Sequence, residues 1–353
     1  MQAINSLGYQ VYFEEDLNSL ESFIEERNYS QILVLVDINT NDNCLPVLQA
    51  AMPNLSNYDV IEVDPGEENK NIDFCIGVWK TMLDFGADRK AVMINLGGGV
   101  VTDMGGFAAS TYKRGIDFIH IPTTLLAQVD ASVGGKTGID LDNVKNIIGT
   151  FTQPQAVFIS TKFLATLDER QIASGFAEVI KHGLIQDKSL YELCKTVNLA
   201  DIDAAIIHRS VAIKNNVITQ DPTEQGLRKI LNFGHTIGHA VEGYSLFNDE
   251  NSLLHGEAIG IGMICEAWLS HKYCGLSEEE LADICNTFMT LYSKYNYTKE
   301  QYPAFFELMK NDKKNESNKI GFALLNSIGD CTYNIYVSEE DIESALDYYL
   351  SLS

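Results

Sequence analysis

A change in hydrophobic periodicity near Thr161 constrains this chain more than any other feature. Before it, short apolar runs alternate with amphipathic stretches. Ile32-Leu-Val-Leu-Val36 ends at Asp37-Ile-Asn39, Asp59-Val-Ile-Glu-Val63 leads into Pro65-Gly66-Glu67, and Ala91-Val-Met-Ile-Asn-Leu96 runs straight into Gly97-Gly98-Gly99. Phe118-Ile-His-Ile121, closed by Pro122-Thr123-Thr124, is a fourth run. Between the second and third, residues 72–85 keep Phe74, Ile76, Val78, Trp79, Met82 and Leu83 broadly on one side of a helix. Such alternation is the mark of a parallel sheet with crossover helices. After Thr161 helical spacing dominates. Thr166-Leu-Asp-Glu169 has the form of a capping box opening a helix to about Leu184, and further helices are expected at about 203–219, 231–244, 255–272 and 278–294. A small strand pair is expected at 322–325 and 331–337. The fold class is therefore α/β, with an α/β domain over residues 1–162 and a mainly helical domain over 163–353.

Composition narrows the partners. The chain has 353 residues and a formal net charge of −24, which weighs against nucleic acid and anionic membranes because both are bound through Lys and Arg. The excess is not uniform. Residues 1–99 hold 5 basic against 16 acidic groups and residues 246–353 hold 7 against 18, while 110–181 hold 7 of each. An acidic exterior around a near-neutral stretch leaves room for a small anionic ligand. The seven cysteines include no Cys-x-x-Cys pair and read as reduced core thiols, which places the chain in the cytoplasm. The most apolar stretch, 258–265, is stopped by Glu266 and is too short to span a bilayer.

Several polar groups stand where chemistry is done. Gly97-Gly98-Gly99 lies between a strand and a helix, where glycines let backbone approach a pyrophosphate. The spacing is not Gly-x-Gly-x-x-Gly, and a tight turn without ligand explains it equally well. Asp37 and Asn39, just past a strand, are placed as a ribose binder is, or as an ordinary turn pair. Arg114, Asp130, Lys136 and Lys145-Asn146 are set among glycines. Gly134-Gly-Lys-Thr137 looks like the end of a P-loop, but position 130 is Asp, so the triphosphate reading fails. Glu178, Lys181 and His182 share a helix face, which an intrahelical ion pair would also explain.

The strongest constellation is Asn232-Phe-Gly-His235-Thr-Ile-Gly-His239, followed by Leu254-His255-Gly-Glu257. Histidines four apart share a helix face, and imidazoles with one carboxylate suit a divalent ion such as zinc. Spacing alone names His235, His239 and His255, with Glu178 or Glu257 as the carboxylate. Position 236 is Thr, so His-Glu-x-x-His is absent and a zincin is disfavoured. Residues alone reach a dinucleotide-binding domain, a metal and a set of cations, an inventory that fits metal-dependent oxidation of an alcohol on an anionic substrate.

At these same segments the chain resembles the 3-dehydroquinate synthase family of sugar phosphate cyclases. The matching stretches are Gly97-Gly-Gly-Val-Val-Thr-Asp103, Thr111-Tyr-Lys-Arg-Gly115, Pro122 through Gly138, Ala177-Glu-Val-Ile-Lys181, Leu231 through Ala240 and Leu254-His-Gly-Glu257, in the family's order. The resemblance implies an N-terminal Rossmann-like NAD-binding domain, a C-terminal helical metal domain, an active site in the cleft, a homodimer and a zinc or cobalt ion. It implies Glu178, His235 and His255 as metal ligands, with His239 facing substrate. For NAD it implies Asp37, Asn39, Glu67, Lys70, Gly98, Gly99, Asp103, Thr123, Thr124, Lys145, Thr166 and Leu167. For substrate it implies Arg114, Asp130, Lys136, Asn146, Lys181, Lys214, Arg228, Asn232, His239 and Lys314, with Lys313 as the alternative to the last. It further implies that Lys136, Asn146, Lys181 and His239 carry the proton movements and orientation.

The implied reaction starts from 3-deoxy-D-arabino-heptulosonate 7-phosphate, whose carboxylate and phosphate explain the Lys and Arg residues. A hydroxyl is oxidised by NAD, the new ketone acidifies the neighbouring proton, phosphate leaves, hydride returns and an intramolecular aldol closes the ring. NAD is regenerated in each cycle. The rivals are another sugar phosphate cyclase, such as 2-deoxy-scyllo-inosose synthase, a metal-dependent polyol dehydrogenase and a non-enzymatic binding protein.

Overall fold

The computed structural model describes residues 1–55, 57–141, 144–311 and 320–352. It forms two compact units, one of Met1–Asp168 with Asp203–Asn215, the other of Glu169–Ile202 with Asn216–Ser353. The change of texture at Thr161 gives no sign that residues 203–215 return to the first unit.

The strands in chain order are β1 (Ile4–Asn5), β2 (Gln10–Phe13), β3 (Ile32–Asp37), β4 (Asp59–Val63), β5 (Val92–Gly97), β6 (Asp117–Pro122), β7 (Lys136–Leu141), β8 (Val144–Phe151), β9 (Ala156–Ile159), β10 (Ile320–Ser327) and β11 (Asp330–Val337). Seven of them make the sheet of the first unit, in the order β1-β2-β9-β6-β5-β3-β4. Only β1 and β2 pair antiparallel. The runs at β3, β5 and β6 are strands covered on both faces, whereas the edge strand β4 alternates, with Ile61 and Val63 buried and Glu62 exposed. Val34, Val36, Ile94, Leu96 and Ile121 enter one core, and Leu33, Leu35, Met93 and Phe118 enter the other. Each such side chain contributes about 1.5–3 kcal/mol by leaving water, and side chains alternate between the two faces.

The chain moves outward from β3 to β4, then crosses back to β5 on the other side of β3. The carboxyl ends of β3 and β5 thus flank a topological switch point, the place where open α/β sheets bind ligands. Apart from this sheet, β7 and β8 form an antiparallel pair, whose first strand lies along the Gly99–Thr111 helix. Sequence periodicity does not announce this pair, because its polar and glycine-rich residues lack an apolar alternation.

In the second unit the His255–Cys274 helix is apolar on all sides from Ala258 to Ala267 except at Glu266, and such a helix must be buried. It packs against the Glu169–Gln186, His235–Asn248, Glu278–Leu291 and Glu339–Ser351 helices and against β10. β10 and β11 pair antiparallel, as the sequence predicts. Two expected helix starts are shifted. Thr166 ends a 3-10 turn, Thr161–Thr166, and the next helix opens at Glu169. Likewise 227–232 is a 3-10 turn, and Gly234, with φ +81°, delays the following helix to His235.

All seven cysteines are free. Among the described residues no helix is long and apolar enough to cross a membrane.

One buried group of the first unit makes stability depend on pH. His120 on β6 is 3% exposed, its Nδ1 accepts the Asn95 side-chain N–H at 3.2 Å, and burial pushes it down from 6.5 to about 3. The folded chain therefore refuses a proton that the unfolded chain accepts below about 6.5. Stability from this residue is complete above that pH and declines by about 1.4 kcal/mol per pH unit down to about 3. Urea unfolding across this window is expected to show a shallower acid slope, by one proton, in His120→Gln than in the wild type. An unchanged slope would contradict the assignment.

Candidate functional site

In the second unit, three helices deliver one ligand group each. Glu178 comes from the middle of Glu169–Gln186, while His235 and His255 are the first residues of their own helices. Close backbone approach makes this possible. A Cβ on Gly262 would lie 1.9 Å from the Gly234 carbonyl oxygen, and one on Gly256 would lie 1.9 Å from that of Ser174. Only glycine permits these helix contacts.

Glu178 is completely buried. Its Oε1 is 3.5 Å from His235 Nε2 and 3.6 Å from His255 Nε2. The other nitrogen of each ring is occupied. His235 Nδ1–H donates to the Phe233 carbonyl at 3.1 Å, which can only accept, and His255 Nδ1–H donates to Glu242 Oε2 at 3.2 Å. Both Nε2 atoms are thereby turned toward the carboxylate. A tetrahedral ion with bonds of 2.0–2.1 Å separates neighbouring donor atoms by about 3.3 Å. The observed spacings and the fixed tautomers fit a divalent ion.

The electrostatics differ between the two rings. Burial, and then the charge of Lys181, hold His235 well below its usual range, so it is neutral and ready to ligate. Burial also opposes a charge on His255, but Glu242 and Glu178 outweigh it and push the ring up to about 9. A metal at Nε2 would displace that proton. Lys181, itself 1% exposed, is ion-paired with Glu178 Oε2, so the intrahelical pair considered from sequence exists beside the ligand geometry.

Glu257 binds Arg170 through two bonds of 2.7 Å and accepts the Leu254 N–H at 2.7 Å, so both of its oxygens are engaged elsewhere. His239 does lie on the shared face, its ring 5.0 Å from that of His235 and 5.8 Å from that of His255. His239, Glu242 and His255 could also hold an ion, within 4.8 Å of one another. Asn232 donates to Glu224 at 2.5 Å, and Arg228 donates to the Pro222 carbonyl at 2.7 Å. Asp221 fastens this segment by accepting the backbone N–H groups of Gln225, Gly226 and Arg228. The sequence gives no reason to single out Glu224 beyond its position eight residues before Asn232.

In the first unit the implied NAD residues gather along one edge of the sheet. Glu67 and Lys70 follow β4, Asp37 and Asn39 follow Val36 of β3, Gly98 and Gly99 follow β5, Thr123 and Thr124 follow β6, and Thr166 and Leu167 lie beyond β9. These strands are parallel neighbours, so the residues share the carboxyl edge. Four of the charged groups form one cluster. Lys70, 3% exposed, lies 3.3 Å from Glu67 and 3.0 Å from Asp103, and Lys145 lies 3.0 Å from Glu67. Burial opposes the Lys70 charge, but Glu67, Asp103 and Asp140 outweigh it and raise its pKa. Burial raises Asp103 despite Lys70. Asp37 caps the Ile38–Asn43 helix in a capping box with Thr40, so the ordinary turn role is present there.

Of the implied substrate residues in this unit, Lys214 and Asp130 meet, with Nζ 2.8 Å from Oδ1. Gly134 N–H donates to the Tyr9 hydroxyl at 3.1 Å, which secures the loop before Lys136. Asn146 has φ +52°, and its N–H donates to Asp140 at 2.7 Å. Arg114 is placed differently. The 13-residue Gly99–Thr111 helix carries the chain about 20 Å back to the amino edge, where exposed Arg114 precedes β6. Lys313 and Lys314 lie outside the described residues.

Residues 60–174 match the family profile described as 3-dehydroquinate synthase N-terminal, and residues 175–315 match the one described as 3-dehydroquinate synthase C-terminal. The chain is 42% identical to a 3-dehydroquinate synthase of Parabacteroides distasonis over 343 residues, covering 95% of this chain and 96% of that one. It is 39% identical to one of Campylobacter concisus, covering 94% and 97%. Among solved structures it is similar to ValA, a 2-epi-5-epi-valiolone synthase from Streptomyces hygroscopicus with NAD+ and Zn2+ bound, at TM-score 0.84, 27% identity and 99% coverage of both chains. A 2-deoxy-scyllo-inosose synthase complexed with carbaglucose-6-phosphate, NAD+ and Co2+ has the same fold at TM-score 0.84 and 24% identity, with 98% and 99% coverage.

Proposed function

The chain belongs to the 3-dehydroquinate synthase family, and from that premise we propose that it converts 3-deoxy-D-arabino-heptulosonate 7-phosphate to 3-dehydroquinate and phosphate. The observation that carries this reading is the convergence of two oriented Nε2 atoms on the buried Glu178 carboxylate. It occurs in a chain about 40% identical to relatives of that name. The divergence from the solved cyclases of other names, at 24% and 27% identity, disfavours their substrates.

When bound, NAD would supply a reversible hydride acceptor and a divalent ion would supply Lewis acidity at the hydroxyl to be oxidised. Glu178, His235 and His255 would hold the ion. The carboxyl edge of the sheet would hold NAD through Asp37, Asn39, Glu67, Lys70, Gly98, Gly99, Asp103, Thr123, Thr124, Lys145, Thr166 and Leu167. Gly98 and Gly99 open a 13-residue helix, whose N-terminus suits the pyrophosphate. Lys136, Asn146, Lys181 and His239 would orient the substrate and move its protons, so that phosphate leaves after oxidation and the ring closes after reduction. Arg114, Asp130, Lys214, Arg228, Asn232 and Lys314 or Lys313 would bind its polar groups, the cations matching its carboxylate and phosphate. In this reading residues 1–162 serve chiefly the nucleotide and 163–353 the metal.

A homodimer is proposed as well, supported by the exposed apolar side chains Ile76, Leu83 and Phe85 on and just after one helix. The seven free cysteines support a cytoplasmic setting. The activity is tested by incubating the purified protein with the heptulosonate phosphate, NAD and zinc or cobalt. Phosphate and a carbocyclic product are expected; no phosphate release with either metal would refute the reading.

A further inference from the structure

Glu242 is a buried carboxylate that the proposed chemistry does not use. It lies seven residues after His235 on the His235–Asn248 helix, two turns along the same face. Its Oε2 accepts Nδ1–H of His255, which begins a different helix. A carboxylate on this nitrogen has a different role from Glu178, which faces Nε2. An ion held by Glu178 and His235 uses Nε2 of His255, and Nδ1 then remains a donor to Glu242.

A second buried carboxylate braces the pair in the opposite direction. Glu266, from the His255–Cys274 helix, accepts Gly234 N–H at 2.6 Å and Ile237 N–H at 3.2 Å. It thereby caps the helix that begins with His235, in place of the side-chain cap that Gly234 cannot supply. Each helix holds the other's ligand in position through a buried carboxylate.

We propose that Glu242 is a positioning residue of the metal centre: it fixes the Nδ1–H tautomer and ring orientation of His255 and so sets metal affinity without touching the ion. The inference rests on the ligand assignment made above, and the experiment separates the two. Metal-free full-length protein is titrated with Zn2+ against a chromophoric chelator, and its Co2+ absorption spectrum is recorded. Glu242→Gln keeps an acceptor oxygen and is expected to weaken binding by about tenfold. Glu242→Leu is expected to weaken it by about a hundredfold, with the Co2+ bands displaced in both. Circular dichroism of the metal-free variants monitors folding, and the Gln variant decides if the Leu variant does not fold. Wild-type affinity and an unchanged Co2+ spectrum in Glu242→Gln, while His255→Ala loses metal, would overturn the proposal and leave the ligand assignment intact. Wild-type binding by His255→Ala would overturn both. Loss of binding in Glu242→Leu together with full binding in Glu178→Leu would make Glu242 a ligand and overturn the proposal.

Discussion

Glu178→Gln is expected to leave the protein without retained zinc or cobalt after dialysis and to lower turnover by at least about a thousandfold. The size follows from the proposed role. A Lewis acid at a developing alkoxide is worth several kcal/mol, and each 1.4 kcal/mol is about tenfold in rate. Gln keeps the shape of the side chain but removes the negative charge that faces both Nε2 atoms. The substitution also leaves Lys181, 1% exposed, without its carboxylate, so some loss of stability is expected alongside. His255→Ala separates the effects. That side chain is 23% exposed and is not the partner of Lys181. Elemental analysis of both variants should therefore show the same loss of metal, with thermal stability closer to wild type in His255→Ala. Metal content unchanged in either variant would overturn the ligand assignment.

Lys70→Met is expected to destabilise the first unit by about 3–5 kcal/mol, the effect of removing one partner from a buried charge cluster. Lys70 stands between Glu67 and Asp103 with 3% exposure, so its loss leaves two carboxylates facing each other in a poorly solvated site. Burial already raises Asp103, and Lys70 and Lys214 are the charges that oppose this. The unfolding midpoint is expected to fall on the order of 10 °C. Affinity for NAD should fall with it, because Glu67, Asp103 and Lys145 are held by the same cluster. A midpoint within a degree or two of wild type would show that the carboxylates find other partners, and that the cluster does not organise this edge.

Much of this arrangement was legible in the sequence, for identifiable reasons. The runs at Ile32, Ala91 and Phe118 read as strands because a strand buried on both faces is a short apolar block, and the run at Asp59 because its apolar residues alternate, as on an edge strand. The residues just after them then had to share one edge, which is where the structure places them. The β7–β8 pair was not legible, since Gly134, Gly135, Gly138 and Gly149 interrupt any alternation. Helical spacing was counted through Leu231 and Asn232, where the backbone is a 3-10 turn that positive φ at Gly234 separates from the helix.

At the site, spacing puts His235 and His239 on one helix face, and their rings lie 5.0 Å apart, but spacing does not say which nitrogens converge. That depends on the Phe233 carbonyl and on Glu242, which are two and thirteen residues away from their histidines in sequence. Glu242 left a faint trace in the sequence, as the third polar group on the face of His235 and His239. Glu266 left a plainer one: a lone carboxylate inside an apolar helix must find buried donors, and here they are the N–H groups of Gly234 and Ile237.

This chain is expected to use NAD as a catalyst in a cyclisation that expels phosphate. That role is tested most directly by counting phosphate released from 3-deoxy-D-arabino-heptulosonate 7-phosphate per molecule of NAD, with metal-loaded protein and NAD far below substrate. Many phosphates per NAD, formation of 3-dehydroquinate and no accumulation of NADH are expected. One NADH formed for every phosphate released, or NADH without phosphate, would contradict that role.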